Sequence, residues 1–365
     1  MEPACVELRM TQATARGSQL PAAQRRFREL LGKVGSGEHT SSGLTLAEAE
    51  EAMDAMLLGE VSDAQLGAFL IAHRIRRPEP QELAGMLASY RRHGPQLITP
   101  GRQAVCFGVP YDGRSRTAPL LPLVTLGLLA AGDCVVLSGG EPMPVKYGVT
   151  LAELWQALGL PLDRCDLAAM QALLTAEGLA LSHQPRHFPA AQRLLPVRDA
   201  IGKRPPVASL ELLWTPHRGE HLLVSGFVHP PTEARAWAAL DLAGEDDVIT
   251  VKGLEGSTDL PLARAAIVGR RRRGHSERLI LHPRDHGLPT HDAPWEGLEA
   301  WTVAALAALG GDGPLAPALR WNLGVQLWLC GRATDAATGL RRADALIAGG
   351  ELLQRLGRLR RACHG

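Results

Sequence analysis

The chain from Gln103 reads Gln103-Ala-Val-Cys-Phe-Gly-Val109, Pro110-Tyr-Asp-Gly-Arg-Ser-Arg-Thr117, an apolar run from Ala118 to Ala131, Asp133-Cys-Val-Val-Leu137 and Ser138-Gly-Gly-Glu-Pro-Met-Pro144. The first and fourth pieces are short apolar runs closed by turn residues, the pattern of buried strands. The run between them is helical in length, so the segment reads strand, turn, helix, strand, turn. In a parallel α/β sheet, ligands sit outside the carboxyl ends of the strands. Both turns fall there, and a small anionic ligand would be handled by them.

Outward from this segment, strands are predicted at Gly178–His183, Leu222–His229, Val248–Lys252 and Leu279–Leu281. Helices are predicted at Leu151–Leu158, Thr232–Leu242, Ala316–Leu329 and Thr334–Ala348. Strands alternating with helices argue a largely parallel sheet. The region before it is all helical. Pro21 to Lys33 places Phe27, Leu30 and Leu31 on one side, and Gly35–Gly43 is a flexible loop. Thr45-Leu-Ala-Glu48 and Ser62-Asp-Ala-Gln65 are capping boxes, the first opening a helix that stops at Gly59. Pro78 to Pro80 breaks the chain before a further helix that ends near His93, and Gly94–Gly101 is a connector. The predicted architecture is a small all-helical N-terminal domain (21–99, joined by about 188–205) and a large α/β domain (101–187 and 206–365). Residues 1–20 read as a flexible tail.

With 365 residues, 45% of them hydrophobic, the chain has enough apolar content for a full core, which argues against wholesale disorder. Net charge is +1, but the charge is segregated. No Lys or Arg lies between Val34 and His73, whereas Arg264, Arg270-Arg-Arg-Arg273 and Arg278 fall within one short stretch. Further basic groups are Arg74, Arg76, Arg77, Arg91 and Arg92, and Arg355, Arg358, Arg360 and Arg361. The six cysteines are widely spaced with no Cys-x-x-Cys, and two lie in predicted strands. That pattern fits free thiols in a reducing compartment. No run approaches the roughly 18 apolar residues of a membrane span, and the N-terminus lacks a leader pattern. A cytoplasmic protein is expected.

The segment from Leu44 to Leu70, the order of elements after it, and the pairs Ala318–Asn322 and Gly339–Ala345 resemble the anthranilate phosphoribosyltransferase family. The resemblance implies a homodimer through the N-terminal helices; packing within one chain is the alternative. It also implies three sites. Where the family carries Gly-Thr-Gly-Gly-Asp-Gly around a pyrophosphate, this chain has Gly108-Val-Pro-Tyr-Asp-Gly113, matching at Gly108, Asp112 and Gly113. Pro110 has no amide hydrogen, Tyr111 is bulky where backbone must approach closely, and Ala118 and Leu120 replace the polar residues that follow. The second phosphate turn corresponds to Ser138, Gly139, Gly140 and Glu141, with Lys146 as a phosphate ligand or a solvated loop lysine.

Magnesium in the family is held by two neighbouring acids, which align with Thr258 and Asp259; Glu255 is a candidate substitute. Hard divalent cations at phosphate sites need one or two such carboxylates. Mg²⁺ is therefore implied only where transferase activity survives. On the acceptor side Lys203 and Arg204 would hold an anion, or Arg204 would bridge the domains, while Ala208 and Glu211 replace the family's Asn and Gly. The stretch Arg264–Arg278 lies between predicted strands and reads as an exposed loop or hairpin. Arg270, Arg271, Arg272, Arg273 and Arg278 are candidate phosphate contacts for nucleic acid, a solubilising surface being the alternative.

These departures resemble a branch of the family that keeps the fold, loses the transferase motifs and binds nucleic acid as dimers. Two functions are carried forward. One is a catalytically degenerate, dimeric nucleic-acid or polyanion binder. The other is an active glycosyl or phosphoribosyl transferase taking phosphoribosyl pyrophosphate and an anthranilate-like acceptor.

Overall fold

Four helices open the chain: α1 (Ala22–Gly35), α2 (Leu46–Leu58), α3 (Asp63–Arg76) and α4 (Pro80–His93). They come from a computed structural model that describes residues 20–37, 40–99, 101, 103–272 and 274–364. Both capping boxes form as the sequence predicts. Thr45 Oγ1 accepts from the Glu48 amide at 3.2 Å and Ser62 Oγ from the Gln65 amide at 3.3 Å, and Gly59 ends α2 in a left-handed conformation (φ 73°). Phe27, Met53, Met56, Phe69 and Met86 fill the centre of the bundle. Glu82 on α4 is buried there; it accepts from the Leu44 amide at 2.8 Å and pairs with Arg76, which ties the loop before α2 to α3 and α4. The helices Pro189–Gln192 and Leu195–Ile201 pack onto α2 and α3. The tail expected at residues 1–20 lies outside the described residues apart from Leu20.

Gly85 marks where α2 and α4 cross. A methyl group there would land on the Leu46 carbonyl oxygen and come within 2.9 Å of the Glu50 amide nitrogen. Alanine gains about 1 kcal/mol of helix propensity over glycine, but backbone cannot yield as a side chain does, and overpacking costs about 1–3 kcal/mol. The clash wins. Gly85→Ala is expected to lower the urea midpoint of the bundle; an unchanged or raised midpoint would show that the crossing has slack.

The second domain holds one seven-stranded sheet in the order β3-β2-β1-β4-β5-β6-β7. Its strands are β1 (Ala104–Gly108), β2 (Cys134–Gly139), β3 (Leu179–His183), β4 (His221–Gly226), β5 (Val248–Val251), β6 (Ala266–Arg272) and β7 (His275–Leu281). Pairing is parallel from β3 through β5; only β5–β6 and β6–β7 are antiparallel. The predicted helical domain and mostly parallel α/β domain are both present. β1, β2 and β3 are buried throughout. That is why they read as unbroken apolar runs rather than alternating ones. Helix α5 (Leu121–Ala130) follows β1 and α6 (Leu151–Ala157) follows the second turn.

Three expectations are corrected. The second strand continues through Ser138 and Gly139, whose partners across the ladder are Ser182 and His183, so these two residues belong to the sheet and not to the turn. Helices at Leu167–Glu177, Leu298–Leu309 and Glu351–His364 were not predicted. The last of these carries the basic group expected at the end of the chain. Leu352, Leu356 and Leu359 are buried on one side, and Arg355 and Arg358 both reach Glu177 at 3.0 Å. Its arginines frame a packed amphipathic helix. Among the described residues no helix is long and apolar enough to cross a membrane.

Candidate functional site

The two turns at the carboxyl ends of β1 and β2 close on each other. Gly113 (φ 77°) donates its amide to the Pro110 carbonyl at 3.1 Å. Arg114 and Val149 exchange backbone hydrogen bonds of 3.1 and 2.8 Å, and the Gly148 amide bonds to the Asp112 carbonyl at 2.9 Å. A phosphate turn works by pointing unsatisfied amides at its ligand. Here those amides already have carbonyl partners. Gly108 serves packing, since a Cβ on it would strike the Leu212 carbonyl of the helix Val207–Leu213. Tyr111 turns inward, is 3% exposed, and its hydroxyl accepts from Trp214 Nε1 at 3.2 Å.

Arg114 is the centre of what remains. Its guanidinium is 5% exposed and reaches across to the loop after β5. Nη1 donates to Asp259 Oδ2 and to Ser257 Oγ, both at 2.7 Å, and Nε to Glu255 Oε1 at 3.2 Å. Nη2 bonds to Thr117. Glu255 also accepts from the amides of Ser115, Arg116 and Thr117 at 3.1–3.2 Å. Burial raises its pKa, yet Arg114 and these three amides outweigh burial and bring it down to about 2. Glu255 adopts φ 54°, ψ 22°, a left-handed conformation uncommon for a non-glycine residue, so the loop is bent to present this carboxylate. Asp259 Oδ2 takes a second bond from the Leu120 amide at 3.0 Å.

Both candidate metal carboxylates are therefore occupied by one fixed cation. Thr258, the third candidate position, is buried and has only a hydroxyl to offer. The donor set does not fit a magnesium ion. Lys146 faces the same loop, donating to the Gly113 carbonyl at 3.2 Å and the Glu255 carbonyl at 3.3 Å, with Glu255 Oε2 3.6 Å away. Burial lowers its pKa, against the pull of Asp112 and Glu255. The space enclosed by Val109, Tyr111, Arg114, Gly140 and Asp259 is about 40 Å³. At roughly 10–15 Å³ per water on that measure, it has room for a few waters and no sugar diphosphate.

On the acceptor side, Arg204 pairs with the buried Asp112, so it bridges the two domains. Lys203 is exposed beside it. Glu211, where the resembling family has glycine, is buried and paired with Arg198. Burial raises the Glu211 pKa against the opposing Arg198 charge. The structure thus gathers Asp112, Gly113, Lys146, Glu255 and Asp259 around one point, with Arg204 on its rim; Ser138 and Gly139 stay in the ladder. Arg114, Arg198 and Glu211 were missed as site residues. The one available signal was a basic residue directly after Asp112-Gly113 in a chain that keeps Glu255 and Asp259.

The basic surfaces also differ from expectation. Of the loop or hairpin expected here, the hairpin forms: Arg270, Arg271 and Arg272 lie in β6 and Arg278 in β7, and Arg273 lies outside the described residues. Strand alternation sends Arg271 toward the helix Pro230–Leu242, where it is 6% exposed and pairs with Asp241. Arg270 pairs with Glu277, Arg272 with Asp247 at 3.5 Å and Arg278 with Glu233 at 2.8 Å. Of the group around α4, Arg76, Arg91 and Arg92 have acid partners. Arg74, Arg77, Lys203 and Arg235 form no ion pair among the described residues. Three of these four, with Arg204, line a cleft of about 570 Å³ between the bundle and the carboxyl end of β4.

Residues 28–94 match the glycosyl transferase family helical bundle domain. The chain is 30% identical over 305 residues to the anthranilate phosphoribosyltransferase of Novosphingobium aromaticivorans, spanning 82% of this chain and 91% of that protein. Its fold superposes on the crystal structure of the anthranilate phosphoribosyltransferase of Thermus thermophilus, with TM-score 0.77, 25% identity, and 93% and 99% of the two chains covered. The Saccharomyces cerevisiae enzyme, solved with PRPP and Mg, shares the fold at TM-score 0.79 and 14% identity, covering 93% and 98% of the two chains.

Proposed function

Because this chain belongs to the anthranilate phosphoribosyltransferase family, we propose that it is a member whose donor site is closed from within, and that it binds nucleic acid instead. The supporting observation is Arg114. Its guanidinium lies between Asp259 and Glu255, where a cation and a diphosphate would need open carboxylates and free amides. A divalent cation would have to displace a buried, multiply bonded arginine, and a diphosphate would meet two engaged acids. Four cations without acid partners among the described residues, Arg74, Arg77, Lys203 and Arg235, sit around the interdomain cleft and favour a phosphate chain at that mouth.

A homodimer through α2 and α3 belongs to the same proposal. Leu46, Leu58 and Ile75 on these helices are 36%, 52% and 73% exposed, and dimerisation would double the basic surface. Sedimentation at micromolar concentration tests it, with a monomer as the opposing result. The second reading, an active transferase, draws on identity that spans 91% of a curated enzyme.

Titrating labelled DNA at two salt concentrations, with phosphoribosyl pyrophosphate and Mg²⁺ as competitor, separates the two. The proposal expects salt-sensitive binding indifferent to the competitor; Mg²⁺-dependent donor binding without DNA binding would return the chain to the transferases. Each phosphate contact contributes a slope of about −0.9 in log K against log salt. Lys203→Ala with Arg235→Ala should therefore flatten the slope by about two contacts, whereas Arg270→Ala with Arg272→Ala, whose charges are already paired, should change it less. The reverse order would move the interface to the β6–β7 hairpin.

A further inference from the structure

The interdomain cleft has features that a polyanion surface alone does not require. Its volume of about 570 Å³ lies within the range of small-ligand pockets. Pro205, Pro206, Leu213 and Phe227 give it apolar walls, and Ser209 and Ser225 also line it. Arg74, Arg77 and Arg235 line it without acid partners among the described residues, Arg74 Nε donating to the Arg204 carbonyl at 3.0 Å. Glu233 lines it too, but its charge is taken up: Oε1 accepts from Thr250 Oγ1 at 2.6 Å and Oε2 from Arg278 at 2.8 Å. The cleft is distinct from the space that Arg114 closes.

Arg77 supplies an independent sign. It caps α3 with φ 66°, ψ 120°, a conformation that disfavours any residue with a Cβ. Positive φ of this kind is adopted at little cost only by glycine. An arginine is held there against backbone strain, and it lines the cleft. Three guanidinium groups exceed what one carboxylate would need and suit the several oxygens of a phosphate. Flat apolar walls beside hydroxyl groups suit a planar ring with polar edges.

We propose that this cleft binds one nucleotide unit, its phosphate on Arg74, Arg77 and Arg235 and its base against the wall of prolines and Phe227. The unit comes either as a free nucleotide or as part of a single strand; the strand source rests on the nucleic-acid reading above, the free source does not. From there the consequences are specific. A filled cleft loses the base, and a relaxed Arg77 position loses the phosphate while the fold gains.

The test titrates the full chain with adenosine 5′-monophosphate, adenosine and inorganic phosphate by calorimetry, and with a short deoxyadenosine strand and its duplex by anisotropy. Either the monophosphate binds more tightly than phosphate and adenosine, or the single strand binds more tightly than the duplex, and this identifies the source. Arg77→Gly should weaken that ligand by about tenfold or more, the loss of a charged hydrogen bond, while the thermal midpoint holds or rises. A merely structural Arg77 would lower the midpoint and leave affinity alone. Ser209→Trp, which fills the cleft and keeps every charge, should remove the preference for base-bearing ligands and spare binding of polyphosphate. Native affinities in both variants, or a wild-type chain that binds neither monophosphate nor single strand, overturn the proposal. DNA binding untouched by both variants defeats this inference alone, whereas monophosphate binding without DNA binding defeats only the reading above.

Discussion

Arg114→Ala is expected to destabilise the α/β domain by about 3–5 kcal/mol at neutral pH, the usual result of removing one partner from a buried ion pair. The alanine leaves Glu255 and Asp259, whose side chains are 2% and 3% exposed, without their shared cation; Lys146, 3.6 Å from Glu255, compensates one of them in part. Lysine at 114 restores the charge but not the fork that reaches both acids, so Arg114→Lys should fall between. The pH dependence follows from the Glu255 carboxyl. Its pKa is about 2 in the fold against 4.5 for an unperturbed group. Stability from this depressed value is fully present above about pH 4.5 and is lost as pH falls toward 2. Arg114→Ala removes the largest of the contributions that lower the Glu255 pKa while the three amides remain, so the gap between variant and wild type should narrow as pH drops. Urea unfolding between pH 7 and pH 3 measures it. A difference below 1 kcal/mol, or one that does not change with pH, would mean that Arg114 is not the counter-ion of this site.

Tyr111→Ala should have an effect of comparable size for a different reason. In the family's phosphate turn this position is glycine; here the ring is part of the core, facing Gly140 and Trp214. Truncating a buried aromatic side chain typically costs about 3–5 kcal/mol through lost burial and the cavity left behind. The orphaned Trp214 indole N–H adds to it. Tyr111→Phe loses only the hydroxyl, and about 1 kcal/mol is expected. Thermal unfolding followed by tryptophan fluorescence gives both values. Equal effects of the two substitutions would place the importance of Tyr111 in its hydroxyl and not its bulk. The same reasoning bears on restoring the donor turn: Pro110→Gly, Tyr111→Gly and Thr258→Asp together remove a core ring and add a third buried acid beside Arg114. Donor binding is expected to stay absent until Arg114 also goes.

The two predictions share a physical theme. A site built for a diphosphate and its metal depends on unsatisfied amides and concentrated negative charge, both unfavourable when no ligand is present. In this chain each such group has found an internal partner: Val149 and Pro110 carbonyls for the amides, Arg114 for the carboxylates, Tyr111 for the volume. On the proposed reading, these internal partners stand where a ligand's groups would otherwise be needed.

The sequence by itself determined the elements whose causes are local. The capping boxes at Thr45 and Ser62, the stop at Gly59 and the helix Ala316–Leu329 depend on neighbours a few residues away, and the buried strands β1, β2 and β5 announce themselves as apolar runs. The sequence also showed that Pro110, Tyr111 and Thr258 depart from the pattern of the family it resembles. It could not show what those positions face. Arg114 reaches Glu255 and Asp259 across more than 130 positions of chain, and a lone arginine after Asp-Gly looks the same in sequence whether it meets solvent or two buried acids. The hairpin that carries the arginines of β6 was foreseen, but their pairing was not: run together in sequence, they look like an exposed patch, whereas strand alternation and the acids of three other segments divide them. Local propensity acts over one turn of helix or one strand, whereas charge pairing depends on distance in space, and only the tertiary structure sets that distance.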